Sequence, residues 1–547
     1  MTRLALILNG GASLGSYVGG AVSEILYALE RRESDEPVSV DVITGSSSGA
    51  LNAALTARTL CVNQNLRPWI ERTWVEAMDA GVLLNPGRDD RRGLLDAGAL
   101  DDLTRSLVDA DPATDDSRSR HAGRPLRVGL SLTNLDGLPY DFRYGFLNAP
   151  DRFYGARVHR DWAEFEVGER QHAGSDVWGA MAETAAASSS LPPFFPPKRL
   201  ARELVDLPGA RIDARGDRAE MWYGDGGLSD TRPISLARRL ARRGERSRGD
   251  DWRYVVVNPD LRERGIESTA TGGPLPSAGA AAVRAVNAVL GESAARDWRE
   301  AHRANVRVEI LEALAERLPA LHGQMDDPDA IGLGRQIGEL AERVAEMKVA
   351  VRRDGDDGSG DPALDYLEEN LARIESEPRW APALDPVSSR AGRTRIKKLI
   401  FILETAAGLR DRPGLPLYLV APDRGEELAG DFLAGAGGFL QPSWRAHDFR
   451  AGRRDARALL TRELSDVMEY EPGAEDAYSV PESFTASVEE LPSGAREKLR
   501  RAVAAEVETA VDELRPGGLA AFFSWAWKPA LKRWATDRTL EALEEAG

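Results

Sequence analysis

Two short apolar segments alternate with two stretches of helical length within the first sixty residues, and this order constrains the fold more than any other feature. The segments "LALIL" (Leu4–Leu8) and "VSVDVIT" (Val38–Thr44) are typical of buried parallel strands, and helices are predicted for Ser16–Arg31 and Ser48–Leu60. The order strand, helix, strand, helix predicts an α/β fold. Further strands of the same sheet are predicted at Leu126–Leu135, Arg253–Pro259 and Leu415–Pro422.

The composition changes after Pro274, where Ala, Glu and Arg become frequent and apolar residues recur at helical spacing. We therefore predict an inserted helical subdomain with two apolar stripes that pack together. The stripes are Ile337, Leu340, Val344, Met347 and Val351, and then Leu364, Leu367, Leu371 and Ile374. The predicted domains are an α/β core at 1–274, the helical insertion at 275–393, a return to the core at 394–456 and a helical C-terminal region at 457–547.

Charge and composition exclude some functions and favour a location. The 547 residues carry a formal net charge of −17, which argues against a sequence-independent nucleic-acid binder because such proteins need an excess of Lys and Arg. The single cysteine, Cys61, excludes an intrachain disulfide. The apolar run Leu4–Leu8 is shorter than the core of a signal peptide, and no run approaches the roughly 18–20 apolar residues of a spanning helix. We expect a cytoplasmic protein.

The stretch "VITGSSSGALNAAL" places three serines between Gly45 and Gly49, where a predicted strand passes into a predicted helix. Gly45-Ser46-Ser47-Ser48-Gly49 fits the G-x-S-x-G nucleophile elbow, in which the central serine points its hydroxyl out of a tight turn. Ser47 is the central serine, while Ser46 completes the turn and Ser48 begins the helix. An ordinary Gly/Ser turn with a serine cap remains the alternative at this point.

A nucleophilic serine needs donors for an oxyanion and a base. The amides of Gly10, Gly11 and Ala12, in the loop "NGGASLG" (Asn9–Gly15, here called the glycine loop), are candidate donors. The loop lacks the spacing of a dinucleotide-binding motif and the Gly-Lys-Ser/Thr of a phosphate-binding loop, so we expect no cofactor. The stretch at residues 352–362 resembles a calcium loop but has glycine in place of a ligand and serine in place of the required glycine, so we expect no metal. None of the six histidines follows a predicted strand convincingly. Asp225, in "MWYGDGGLSD", is a candidate base, although from this stretch alone an ordinary Asp-Gly turn is the stronger interpretation.

The glycine loop, then "GSSSG", then "DGG" in that order resembles the patatin-like phospholipases, and a closing segment "GGFLQPSWRAHDFRAGRRDA" (Gly437–Ala456) is similar to a bacterial patatin-related subgroup. The resemblance implies a three-layer α/β/α sandwich with a mostly parallel sheet. It implies that Ser47 is the nucleophile, Asp225 its general base, and Gly10, Gly11 and Ala12 the oxyanion donors.

The resemblance also implies a function, with two departures. Where the family reads G-G-G-x-R/K-G, this chain has Ala12 and Leu14, and Leu14 removes a positive charge. We expect a serine lipid acyl hydrolase, of the phospholipase A or lysophospholipase type, acting on a lipid or acyl ester through an acyl-enzyme. The alternative is an inactive patatin-like lipid-binding or scaffold protein. The aromatic and basic stretch at residues 517–535 is expected either to pack on the domain or to lie at a membrane surface.

Overall fold

A computed structural model of the chain defines its architecture in two compact units, one of residues 1–298 with 416–547 and one of residues 299–415. The structure describes residues 2–32, 36–62, 67–78, 118–144, 152–168, 176–191, 195–213, 216–243, 251–260, 331–352, 362–377, 380–406, 416–422, 428–431 and 437–470, with single residues at 98, 100, 101, 104, 299, 306, 435, 501 and 504.

The described strands of the first unit form one mixed sheet with the order β5-β6-β3-β2-β1-β7-β8, to which β4 adds by pairing with β3. The pairs β3-β2, β2-β1, β1-β7 and β7-β8 are parallel. The pairs β3-β4, β3-β6 and β5-β6 are antiparallel. The strands are β1 Thr2–Leu8, β2 Val38–Gly45, β3 Ala122–Tyr144, β4 Arg152–Val167, β5 Lys198–Glu203, β6 Arg218–Gly224, β7 Asp251–Val257 and β8 Leu417–Val420.

Helices cover both faces of this sheet. The helices of six or more residues in the described part of this unit are α1 Gly15–Arg31, α2 Ser48–Cys61, α3 Arg67–Arg72, α4 Asp176–Ser188, α5 Ile234–Arg243 and α9 Pro442–Arg462. Residues of α1, α2, α4 and α9 share one core with Leu4, Leu6 and Leu8 of β1. On the other face α5 packs its Leu236 and Leu240 against Gly129 of β3. The expected three-layer α/β/α sandwich with a mostly parallel sheet is confirmed. The predicted strands coincide with parts of β1, β2, β3, β7 and β8, although β7 ends at Val257 and β8 spans only Leu417–Val420, so the last two predictions were too long.

The antiparallel side of the sheet goes beyond the sequence-based prediction, which contains no strand at β4 or β5. These strands carry many charges, a composition that disfavours a buried strand. In the fold the charges are paired: Arg160 donates to Asp230, and Arg202 donates to Asp161 at 2.9 Å. Such pairing between distant segments leaves no local pattern in the sequence.

The second unit is helical in its described part, with α6 Ile331–Arg352, α7 Pro362–Ser376 and α8 Arg390–Ala406. Its core contains Ile337, Leu367 and Ile374 from the two predicted stripes. Leu340 and Leu364 were expected in the same packing, but they are 50% and 45% exposed. The apolar stripe of each helix is therefore narrower than its sequence pattern. The return to the α/β core was predicted to begin at residue 394, which lies inside helix α8, and the sheet resumes only at strand β8. The predicted domain limits stay a prediction.

Helices α1 and α9 cross at very short distance through two glycines. A Cβ added to Gly20 would lie 1.9 Å from the carbonyl oxygen of Phe449, and one added to Gly452 would lie 2.0 Å from that of Tyr17. Buried charge reinforces the contact, because Glu24 of α1 accepts hydrogen bonds from two arginines of α9 and from a tyrosine that follows it: Arg453, Arg457 and Tyr470. Helix α9 is thus part of the core of the first unit.

We expect Gly452→Ala to destabilise the protein by about 3 kcal/mol, at the upper end of overpacking penalties, because the new methyl group meets a helix backbone that cannot yield. Chemical denaturation measures the change. The matched control is Gly179→Ala in α4, where nothing lies within 4 Å of the added Cβ and helix propensity alone predicts a gain of up to about 1 kcal/mol. Equal stability of the Gly452 variant and the wild type would contradict the close crossing.

No helix in the described part of the chain has both the length and the apolarity needed to cross a bilayer. The stretch 517–535 lies outside the described residues.

Candidate active site

The turn between β2 and α2 holds Ser47 in a backbone conformation that residues with a side chain rarely adopt, at φ 54° and ψ −132°. The chain reverses so sharply here that a Cβ on Gly45 would lie 2.3 Å from the carbonyl oxygen of Gly49. A Cβ on Gly49 would lie 2.1 Å from the carbonyl oxygen of Leu8, on the adjacent strand. Both glycines of the motif are required by close backbone approach, and helix α2 begins directly at Ser48.

The hydroxyl of Ser47 donates a hydrogen bond of 2.6 Å to Oδ2 of Asp225. Asp225 follows the last residue of β6, and its other oxygen, Oδ1, accepts the amide of Gly227 at 2.7 Å. Both side chains are buried, with Ser47 6% and Asp225 1% exposed. The fold therefore brings together the two residues, 178 positions apart, that the sequence singles out as nucleophile and base.

Burial raises the pKa of Asp225 from 3.8 to about 7, and the hydrogen bonds from Ser47 and from the Gly227 amide oppose this rise without cancelling it. A carboxyl group with a pKa near neutrality exchanges its proton readily at physiological pH. That property is what a general base needs, because it must first accept a proton and then return it.

A second run of three serines, at the end of α4, ties the two halves of the site together. The hydroxyl of Ser188 accepts the amide of Ser47 at 3.0 Å, and the hydroxyl of Ser189 donates to the carbonyl of Ser47 at 2.9 Å. The carbonyl of Ser190 accepts the amide of Asp225 at 2.9 Å. Sequence reasoning assigned this run no role; its signal was the repetition of small hydroxyl residues where a helix ends.

The backbone of the glycine loop lies directly against Ser47. A Cβ on Gly10 would lie 2.4 Å from Cβ of Ser47 and 3.2 Å from its Oγ. The amide of Asn9 donates to Val257, and that of Ser13 donates to Gly435. Within the described residues, no acceptor is found for the amides of Gly10, Gly11 and Ala12. These three amides are therefore available to a group bound beside Ser47.

Two residues depart from the family pattern in this loop, and the structure places them differently. Ala12 lines the pocket beside Ser47 and has a left-handed backbone, with φ 48°. Leu14 is 2% exposed and belongs to the apolar core, where it contacts Gly430 closely enough that a Cβ on that glycine would lie 2.5 Å from Cδ2 of Leu14. Position 14, where the family pattern has a basic residue, thus holds an uncharged side chain that packs in the core.

An apolar pocket opens beside Ser47. Trp74 is one wall of it, fixed by a 2.7 Å hydrogen bond from its ring nitrogen to Asn52. Phe195 and Phe439 meet edge to face at a centroid distance of 6.5 Å. The residues that line the pocket are Ala12, Ser47, Ser48, Leu51, Trp74, Met78, Leu100, Ser189, Leu191, Phe195 and Phe439. Sequence reasoning missed Trp74 and Phe439, since isolated aromatics carry no pattern that distinguishes a pocket wall from core.

Metal ligands are not grouped in this site or elsewhere in the described residues, where no three His, Cys, Asp or Glu side chains are arranged to hold an ion.

Comparison with known proteins identifies the family of this domain. The family model described as patatin-like phospholipase matches residues 6–238, a range that contains Ser47, Asp225 and the whole glycine loop. No curated protein shows significant similarity to the chain. The mixed sheet, its flanking helices and the family match agree, and the chain carries a patatin-like phospholipase domain at residues 6–238.

Proposed function

We propose that this protein is a serine lipid acyl hydrolase, an esterase of the phospholipase A or lysophospholipase type, with Ser47 and Asp225 as a catalytic dyad. The observation that carries the proposal is the 2.6 Å hydrogen bond from the Ser47 hydroxyl to a buried carboxylate, beside an apolar pocket. A family of lipid acyl hydrolases, matched over residues 6–238, supports it.

In the first step the Oγ of Ser47 attacks the ester carbonyl carbon while its proton passes to Oδ2 of Asp225. The carbonyl oxygen becomes an oxyanion, for which the amides of Gly10, Gly11 and Ala12 are the proposed donors. When the tetrahedral intermediate collapses, the ester bond breaks and the leaving alcohol takes the proton from Asp225. An acyl group remains on Ser47.

In the second step water attacks the acyl carbon and gives its proton to Asp225. The bond between the acyl group and Oγ of Ser47 then breaks, the fatty acid leaves, and the proton returns from Asp225 to Ser47. One ester and one water thus yield one acid and one alcohol, and both residues end in their starting protonation states.

The pocket supports an acyl chain as the recognised part of the substrate. Its lining is apolar apart from the hydroxyls of Ser47, Ser48 and Ser189, which suits the first carbons of an acyl chain whose carbonyl lies at Ser47. Position 14 supplies no cation for a phosphate, because it is occupied by a leucine, which is buried in the core. We therefore propose recognition through the acyl group. We also propose a cytoplasmic enzyme, whose stretch 517–535 either packs on the domain or makes peripheral membrane contact.

A fluorophosphonate activity probe tests the proposal, because the probe bonds covalently to an activated serine and spares an ordinary one. We expect wild-type protein to be labelled at Ser47, with the site mapped by mass spectrometry, and Ser47→Ala to be unlabelled. The matched control is Ser46→Ala, which removes the neighbouring buried hydroxyl and should label normally. A wild-type protein that binds lipid vesicles but does not label would favour the inactive lipid-binding alternative. A lipid-class hydrolysis screen then identifies the ester.

A further inference from the structure

Ser13, the residue that follows the three free amides of the glycine loop, is tied to a distant part of the chain. Resting on the proposed function, we propose that Ser13 is a positioning residue: through Gly435 and Gly438 it holds the glycine loop in the shape that the oxyanion requires. The residues that hold Ser13 lie outside the 6–238 range of the family match.

Three hydrogen bonds make this tie. The amide and the hydroxyl of Ser13 both donate to the carbonyl oxygen of Gly435, at 2.8 and 2.7 Å. The amide of Gly438 donates to the hydroxyl of Ser13 at 3.0 Å. Ser13 is fully buried. Its hydroxyl is thus both a donor and an acceptor to one short stretch of chain, and alanine at this position would lose two of the three bonds.

The stretch that receives Ser13 is itself held rigidly by α9. Arg445, which is fully buried, donates to the carbonyls of Gly438 and Phe439 at 3.0 Å each and to that of Val75 at 2.8 Å. One turn later, Asp448 accepts the amides of Ala429 and Gly430 at 2.8 Å each. A charged side chain that satisfies several carbonyls or amides at once fixes their relative positions.

The glycine loop needs an external hold because Ala12 is in a left-handed conformation, with φ 48°. An alanine in that region costs on the order of 1 kcal/mol, and such strain persists only where the surroundings fix the backbone on both sides. On one side of Ala12, the amide of Asn9 is bonded to β7; on the other, Ser13 is bonded to Gly435. Release of Ser13 would let Ala12 relax and turn its amide away from Ser47.

The test compares Ser13→Ala in two backgrounds. In the wild-type background we expect kcat for ester hydrolysis to fall on the order of tenfold to a hundredfold, as a displaced oxyanion donor implies, with KM nearly unchanged because the acyl pocket is intact. In an Ala12→Gly background the left-handed conformation is unstrained, so the same substitution should cost less than threefold. The matched control, Ser23→Ala, removes another buried serine hydroxyl of the same region and should leave kcat unchanged.

Hydrogen exchange of residues 9–16 gives a readout that does not depend on catalysis. We expect faster exchange in Ser13→Ala than in Ser23→Ala, and an intermediate increase in Asp448→Asn, which serves if Ser13→Ala does not fold. Unchanged exchange, unchanged kcat, or an equal loss of kcat in both backgrounds would overturn the positioning role. If wild-type protein neither hydrolyses esters nor labels at Ser47, the proposed function fails, while the exchange result still decides whether Ser13 anchors the loop.

Discussion

Ser47→Ala is expected to lower kcat for ester hydrolysis on the order of 10⁴-fold or more, because it removes the atom that forms the acyl-enzyme. Asp225→Asn should lower kcat by about 10²–10⁴-fold, the usual contribution of a general base. The double variant should be no slower than Ser47→Ala, since residues that act as one unit do not contribute additively. Steady-state kinetics on a short-chain chromogenic ester measure all three.

The pH profile gives this prediction a second signature. Asp225 acts as a base only when ionised, and its pKa is raised to about 7. The value of kcat/KM should therefore fall about tenfold per pH unit below 7 and level off above it. Asp225→Asn should flatten this slope in whatever activity remains.

We do not expect unfolding to cause the Asp225→Asn loss, because the raised pKa of Asp225 makes its ionised form destabilising. A carboxyl with a raised folded-state pKa stabilises the fold fully below pH 3.8, and this contribution is lost as pH rises through about 7. At pH 8 the ionised wild-type residue costs roughly 4 kcal/mol, a cost that asparagine avoids. The variant should thus be at least as stable as wild type at pH 8.

Asp41→Asn, which alters a carboxylate paired with Arg3, is the control. Full turnover in either dyad variant would contradict the proposed mechanism.

Gly10→Ala should lower kcat on the order of 10²–10³-fold. The added Cβ would lie 2.4 Å from Cβ of Ser47, so the glycine loop and the nucleophile must separate, and the proposed oxyanion donors move with the loop. Fluorophosphonate labelling of Ser47 should slow in parallel.

The control for that substitution is Gly155→Ala on β4, where the nearest atom to the added Cβ is a carboxylate oxygen of Asp141 at 3.9 Å. It should leave kcat unchanged. Normal kinetics in Gly10→Ala would mean that the loop moves without consequence, and the amides of Gly10, Gly11 and Ala12 would lose their proposed role.

The sequence predicts the parallel half of the sheet and the elbow because their determinants are local. Leu4–Leu8 is apolar throughout, and Gly45 and Gly49 are fixed by contacts within a few residues or with the adjacent strand. The antiparallel strands β4 and β5 were not predicted, because their charges are neutralised only by tertiary pairing. Two long-range hydrogen bonds were not predicted for the same reason, one from Ser13 to Gly435 and one from Ser47 to Ser188. Hydrogen bonds across 422 and 141 positions leave no pattern in a short window of sequence.

The bond between Ser13 and Gly435 also sets a time for the assembly of the site. A ribosome that has made Ser13 must add 422 more residues before its partner exists. At roughly 5–20 residues per second this takes about 20 to 80 s, during which the glycine loop lacks its anchor on the nascent chain. Helix α9, with its glycine crossing onto α1, emerges only after that. On the proposed function, the glycine loop gains its anchor late in synthesis, so an unfinished chain would hydrolyse esters more slowly than the complete protein.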